Sequence, residues 1–169
     1  MDDRDKPPLV ISACLLGVEC NHEGRGSARA VVEELARHYR LVPVCPEVLG
    51  GLPTPRAAAE LTGGDGAAVL AGADGARVVN VAGEDVTAAY RRGAEAAVEI
   101  ARAVGARRAV LKARSPSCGS AAVYDGTFSR RLVPGRGVTA AALAAAGLAV
   151  GSDEDAAAPP PAGADQNPS

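Results

Sequence analysis

Three of the four cysteines follow short apolar runs typical of buried strands. They are Cys14 after residues 9–13, Cys45 after residues 41–44, and Cys118 after residues 109–112 and a short loop. If these runs are parallel strands of one sheet, the three thiols meet at its carboxyl edge, where open α/β sheets bind ligands. Soft thiolates gathered in such a crevice predict a metal ion or metal cluster with one coordination position left open.

Other roles for these cysteines have to be weighed against this site. Buried cysteine also packs as a small hydrophobic residue, but core packing gives no reason for three thiols to share the end of a strand. The sequence has no Cys-x-x-Cys pair, so neither a zinc ribbon nor a thioredoxin-like redox pair is supported. Thiolates bind zinc, Cu(I) or iron–sulfur clusters, and cubane clusters normally take four. The remaining cysteine, Cys20, lies in a loop-like stretch, and we expect it to be a bystander.

Polar residues next to the second and third cysteines could take part in chemistry. Glu47 follows Cys45 by two positions. A loop glutamate is usually only solvated, but beside a negatively charged thiolate site it could transfer protons as a general base. The third strand end is followed by four polar side chains, namely Lys112, Arg114, Ser115 and Ser117. These side chains either bind substrate oxygens or balance local charge.

The elements that would position these residues alternate along the chain. Apolar spacing predicts helices over residues 27–38, with Ser27 as N-cap, over 86–104, with Asp85 as N-cap and Gly105 as C-cap, and over 139–146. The Asp74-Gly75 step predicts a hairpin between residues 69–70 and 77–81. Residues 148–150 form a last strand, and a proline at position 43 favours an edge strand or a strand start. This order predicts an α/β, three-layer Rossmann-like sandwich with a mostly parallel sheet.

Length, composition and charge indicate the number of domains, the kind of partner and the location to expect for this chain. The 169 residues predict one domain over 9–151, with disordered tails at 1–8 and 152–169. A net charge of −2 and four aromatic residues argue against a nucleic-acid partner. The chain shows neither a signal peptide nor an apolar run long enough to span a membrane. We therefore expect a cytoplasmic location, where thiols stay reduced. The oligomeric state is left open.

Four blocks of the sequence, residues 13–17, 42–56, 112–119 and 124–128, resemble the signature blocks of the thiouracil desulfidase family. The resemblance extends over about residues 10–150. It implies a [4Fe–4S] cluster held by Cys14, Cys45 and Cys118, and non-redox desulfuration of a thiolated uracil or related small thiopyrimidine to uracil and hydrosulfide. It further implies that Glu47 is the catalytic carboxylate and that a serine of the 115–117 stretch assists. Of the two serines, Ser115 is favoured over Ser117.

The chain departs from this family at one place. Where the family usually reads Arg-Tyr-Asp-Gly after the first cysteine, residues 21–24 read Asn-His-Glu-Gly, which leaves the exact substrate open. An alternative function is a redox-sensing module that binds a metal or cluster without turnover. A plain nucleotide-binding domain ranks last, because no G-x-G-x-x-G or P-loop motif follows a strand.

Overall fold

The computed structural model describes residues 2–155. The strands are β1 Pro8–Ser12, β2 Arg40–Val44, β3 Ala59–Thr62, β4 Arg77–Asn80, β5 Arg108–Leu111, β6 Ala122–Tyr124, β7 Leu132–Pro134 and β8 Ala149–Ser152. The α-helices are α1 Val31–His38, α2 Pro46–Leu49, α3 Gly66–Ala71, α4 Thr87–Val104 and α5 Val138–Ala145. Two short 3₁₀ helices span Asp3–Asp5 and Ala13–Leu16. No helix of residues 2–155 is long and apolar enough to cross a membrane.

The main sheet has four parallel strands in the order β2-β1-β5-β8. Side chains alternate across it, as the twofold period of a strand requires. Leu9 and Ile11 pack with Leu35 of α1 on one face, while Val10 packs with residues of α4 and α5 on the other. The predicted α/β, Rossmann-like sandwich is therefore confirmed. Two antiparallel pairs, β3-β4 and β6-β7, lie outside the main sheet.

Pro43 lies in β2, and β2 is an edge strand of the main sheet. Proline has no N–H to donate to a ladder, so an edge position costs the sheet no hydrogen bond. Residues Ser12 and Val44 are directly paired in the parallel register. The carboxyl ends of β1 and β2 therefore lie side by side, and the loops that carry Cys14 and Cys45 begin next to each other.

The hairpin predicted around residues 69–81 is wrong. Val69 lies in helix α3, because Asp65 caps its N-terminus by accepting from the Ala68 N–H at 3.1 Å and Gly72 ends it with φ +68°. The strand predicted at 77–81 exists as β4, but its partner is β3. A short apolar run fits a strand and a helix equally well, and here the two caps decide for the helix.

The starts of the predicted helices also differ in detail. Ser27 does not cap α1, which begins at Val31; its own N–H donates to the Cys14 carbonyl at 2.7 Å, so this segment stays extended beside the first cysteine. For α4, the N-cap residue is Val86 and not Asp85, because the helix begins at Thr87; the Asp85 carboxylate still accepts from the Thr87 N–H at 2.9 Å. Gly105 ends this helix with φ +71°, as predicted.

Helices α2 and α4 cross at unusually close range. A Cβ placed on Gly93 of α4 would lie 1.9 Å from the Pro46 carbonyl oxygen, and one on Gly50 would lie 2.0 Å from the Ala89 carbonyl oxygen. Both positions therefore accept only glycine without a shift of the backbone. This contact holds the first turn of α2, which carries Glu47, against the middle of α4.

The end of β8 connects two loops of the carboxyl edge. The Asp153 side chain is 1% exposed, and it accepts from the Ala113 N–H at 2.8 Å and from Arg29 Nε at 3.1 Å. Ser152 and Asp153 are thus buried in the fold, although the sequence places residue 152 at the start of a tail. Residues 156–169 of that tail lie outside the described residues. The division into one domain and two tails stays a prediction.

We expect Asp153→Ala to lower the free energy of unfolding by about 2 kcal/mol, because it removes the buried carboxylate that accepts from the Ala113 N–H and from Arg29. Urea unfolding followed by circular dichroism measures this change. The matched control is Glu154→Ala, whose half-exposed carboxylate pairs with Arg114 at the surface. An exposed pair of this kind contributes at most about 1 kcal/mol. Equal losses in the two variants would contradict the role given to Asp153.

Candidate active site

The three cysteines that follow β1, β2 and β5 line one cavity of about 480 Å³ at the carboxyl edge of the main sheet. Cys14 lies in the 3₁₀ helix Ala13–Leu16, Cys45 immediately precedes α2, and Cys118 lies in a turn after β5. We call this space, lined also by Cys20, Glu47, Ser115 and Ser117, the thiol cavity. The structure therefore brings together all six predicted site residues. None of the four cysteines forms a disulfide.

The two serines shape the turn that presents Cys118. The Ser115 hydroxyl oxygen accepts from the Ser117 N–H at 3.2 Å and from the Cys118 N–H at 3.1 Å. The Ser117 hydroxyl is buried and donates to Cys118 Sγ at 3.5 Å. The two hydroxyl oxygens lie 3.0 Å apart. Ser117 is thus directed at the sulfur, while Ser115 folds the turn and is less buried than Ser117.

Burial controls the ionisation of the thiols. It raises the pKa of Cys118 to about 12, although hydrogen bonds from Ser12 and Ser117 oppose the shift. Burial and then the neighbouring Cys45 raise the pKa of Cys14. Metal ligands must be thiolates, so a metal group that binds here must displace protons from these sulfurs. The same cause, burial followed by Cys45, raises the pKa of Cys20 to about 12.

Cys20 lies in the wall of the same cavity. Its side chain is buried, and its carbonyl oxygen lies 3.6 Å from Cys45 Sγ, which donates to it. The sequence places this residue in a loop, and the structure agrees, since no helix or strand contains it. Its expected role as a bystander stays a prediction.

Glu47 stands on the first turn of α2, with its side chain 14% exposed. Oε2 accepts from Arg56 Nε at 3.0 Å and also from Arg56 Nη2, while Oε1 accepts from the Tyr90 hydroxyl. Burial acts to lower the pKa of Arg56, but the Glu47 carboxylate outweighs it and the pKa is raised. Burial and then Glu47 raise the pKa of Tyr90. Arg56 is therefore a cation and Tyr90 a neutral hydrogen-bond donor.

Comparison with known proteins settles the family of this chain. Residues 9–155 match the model of the 2-thiouracil desulfurase family. The chain belongs to this family. A member from Bacillus subtilis (strain 168), the uncharacterized protein YbbK, is 43% identical over 147 residues, which cover 87% of this chain and 96% of YbbK. The solved structure of TudS, a [4Fe-4S]-dependent thiouracil desulfidase, is 40% identical with a TM-score of 0.75, covering 88% of this chain and 92% of TudS.

The donor set of this desulfurase-family chain fits an iron–sulfur cluster. Thiolates are the ligands such clusters take, and three of them line the thiol cavity. Among residues 2–155, no three His, Cys, Asp or Glu side chains are grouped so that they could hold a single metal ion.

Two further residues of this family member were not identified as site residues from the sequence. Tyr90 belongs to the apolar stripe of α4 and reads as core, and Arg56 reads only as the end of a motif block. The sequence feature that could have identified Tyr90 is its hydroxyl, because a tyrosine buried in a helix stripe needs a hydrogen-bond partner nearby. Of the two predicted cations, Arg114 pairs with Glu154 at 2.7 Å, and Lys112 Nζ donates to the Ala113 carbonyl at 3.4 Å.

Proposed function

We propose that this chain is an iron–sulfur-dependent desulfidase that removes the sulfur of a thiolated uracil, or of a related small thiopyrimidine, without net redox change. The observation that carries the proposal is the thiol cavity, which brings three cysteines, a carboxylate and two serines together in a member of the 2-thiouracil desulfurase family. The overall reaction exchanges water for sulfur. A C=S group and water give a C=O group and hydrogen sulfide, which at neutral pH is released as hydrosulfide and a proton.

Cys14, Cys45 and Cys118 would hold a [4Fe–4S] cluster, the cofactor named for TudS. Held by only three thiolates, such a cluster supplies an iron that is open to the soft thiocarbonyl sulfur and acts on it as a Lewis acid. Val44, Ala13 and the 57–59 segment supply apolar wall between the polar groups.

Glu47 handles the protons of the exchange. Its carboxylate takes a proton from water as the water oxygen attacks the carbon that bears sulfur, and it delivers this proton to the departing sulfur as the carbon–sulfur bond breaks. The hydroxyl proton of the adduct is lost to solvent as the C=O group forms, so that hydrosulfide and one proton are released. Because Arg56 and Tyr90 donate to Glu47, the group starts as an oriented carboxylate. A base of this kind contributes about 10²- to 10⁴-fold to a rate.

The serines steady the charge that develops on the substrate. Ser117 already donates to Cys118 Sγ, so its hydrogen is engaged with the sulfur. Ser115 accepts two backbone N–H groups, which leaves its own hydrogen free to point to Ser117 or into the cavity. We therefore assign the assisting role to Ser115, as a hydrogen-bond donor to the developing negative charge.

The size of the cavity supports a small substrate. A volume of about 480 Å³ falls in the range of roughly 300–1,000 Å³ typical of small-molecule sites. With a net charge of −2, the chain lacks the strongly basic character that binding to a large nucleic acid requires. The cytoplasmic location expected from the sequence stays a prediction.

Anaerobic cluster reconstitution followed by sulfide measurement tests this function. We expect the loaded protein to release sulfide from at least one of 2-thiouracil, 4-thiouracil and a thiouridine, with one uracil product formed per sulfide. The protein without iron and sulfide serves as the control and should release none. A fully loaded protein that releases no sulfide from any of the three compounds would contradict the proposal.

A further inference from the structure

The two oxygens of the Glu47 carboxylate have different surroundings. Among residues 2–155, Arg56 donates two N–H groups, from Nε and Nη2, to Oε2, whereas the Tyr90 hydroxyl is the one group that donates to Oε1. A carboxylate oxygen accepts about two hydrogen bonds. Oε2 is therefore filled by Arg56, and Oε1 keeps one acceptor position open.

From this asymmetry we propose that Arg56 and Tyr90 are positioning residues for Glu47, and that Oε1 is the oxygen that exchanges the proton during desulfuration. The inference rests on the proposed function, because it assigns a role within the same reaction. Both residues line the thiol cavity, yet their polar groups are directed at Glu47 and not at one of the thiols.

Arg56 is itself held firmly enough to orient another side chain. Its side chain is 5% exposed. Nη1 donates to the Pro53 carbonyl and to Thr54 Oγ1, each at 3.2 Å, and Nη2 donates to the Cys20 carbonyl at 2.8 Å. Planar, multiply donating geometry of this kind is available to a guanidinium but not to an ammonium group. Lysine at this position would keep the positive charge but could not donate the same two hydrogen bonds to Oε2.

The Cys20 carbonyl connects this network to the second cysteine. It accepts from Arg56 Nη2 at 2.8 Å and lies 3.6 Å from Cys45 Sγ. Arg56 thus contacts both the Glu47 carboxylate and the backbone beside Cys45. One guanidinium therefore contacts both the proton-transfer group and the carbonyl to which Cys45 Sγ donates.

The position of Tyr90 is fixed by the packing of its ring. Its ring is 3% exposed and packs with Leu61 and Val78 in an apolar cluster beside α4. The close contact between Gly93 and the Pro46 carbonyl sets the position of α2 on α4, and therefore of Glu47 relative to the Tyr90 hydroxyl. Removing this hydroxyl alone leaves the ring and its packing in place.

A glutamate without these two partners would rotate about three side-chain bonds. Misplacing a reacting group by about 1 Å can cost about 100-fold in rate. We therefore expect loss of either partner to slow the chemical step and to leave substrate binding almost unchanged. A residue that served only the fold would not separate these two quantities.

The test uses the reconstituted enzyme with Tyr90→Phe and Arg56→Lys. We expect kcat for sulfide release to fall about 10-fold in Tyr90→Phe, the value of one lost hydrogen bond, and about 100-fold in Arg56→Lys. The KM for the thiopyrimidine and the calorimetric Kd for uracil should stay within about twofold. Iron content and the visible absorption of the cluster should not change. Tyr39→Phe is the matched control, since Tyr39 is equally buried and its hydroxyl accepts from Arg108 far from the cavity.

A second comparison places Tyr90→Phe in a Glu47→Gln background, assayed at high enzyme concentration. If Tyr90 acts through Glu47, the added substitution costs no further activity. Four outcomes would each overturn the positioning role. They are an unchanged kcat in Tyr90→Phe, an equal loss of kcat in both backgrounds, a higher Kd for uracil, and a loss of cluster absorption. If Tyr90→Phe does not accumulate, Arg56→Lys tests the same role. Full activity in Glu47→Gln itself would instead contradict the proposed function.

Discussion

Replacing Cys14, Cys45 or Cys118 by alanine is expected to abolish the iron–sulfur cluster, whereas Cys20→Ala is expected to retain it. The loaded parent protein should carry about four irons and the matching labile sulfide per chain. Each of the three substitutions removes one of three thiols that line the cavity from three different strand ends. Because a cluster held by three thiolates loses one third of its protein ligands in each variant, we expect the loss to be nearly complete. Iron and sulfide analysis with visible absorption measures it.

Cys20→Ala is the matched control for this series, because Cys20 is a buried thiol of the same cavity. Its carbonyl oxygen contacts Cys45 Sγ and Arg56, and alanine keeps that carbonyl. Loss of the cluster in Cys20→Ala would mean that four thiols hold it and that no iron is left open. Stoichiometric zinc without labile sulfide in the parent protein would contradict the cluster altogether.

Glu47→Gln is expected to lower kcat for sulfide release by about 10²- to 10⁴-fold while the cluster stays intact. The amide keeps the size of the side chain and an oxygen that accepts from Arg56 or Tyr90, but it cannot take up a proton. The experiment combines sulfide-release kinetics with iron content and cluster absorption. The iron content and cluster absorption show whether a variant has lost activity because its chemistry is impaired or because it has not bound the cluster.

Glu60→Gln is the control for Glu47→Gln, because Glu60 is a second carboxylate in the wall of the same cavity. Its Oε1 accepts from the Gly126 and Phe128 N–H groups, so it serves the neighbouring loop. We expect it to cost less than about 10-fold, since a neutral amide oxygen can still accept these bonds. If Glu47→Gln released sulfide at the parent rate, the catalytic role proposed for Glu47 would be contradicted.

Much of the site follows from local sequence features. Short apolar runs predict the three strands whose ends carry Cys14, Cys45 and Cys118, and Pro43 agrees with the edge position of β2. Parallel strands end on the same edge of a sheet, so the meeting of these thiols follows once the sheet is parallel. The prediction failed around Val69, where an apolar run too short to distinguish strand from helix is decided by the caps at Asp65 and Gly72.

The sequence by itself determined which residue types stand at the strand ends, the α/β class and the family of this chain. Only the tertiary structure decided which polar groups meet. Glu47 and Tyr90 are 43 positions apart and come into contact because two glycines let α2 lie directly on α4. Asp153 and Ala113, 40 positions apart, meet at the edge of β5. Such contacts depend on how helices and loops pack over long separations, and neither side-chain periodicity nor residue type encodes them locally.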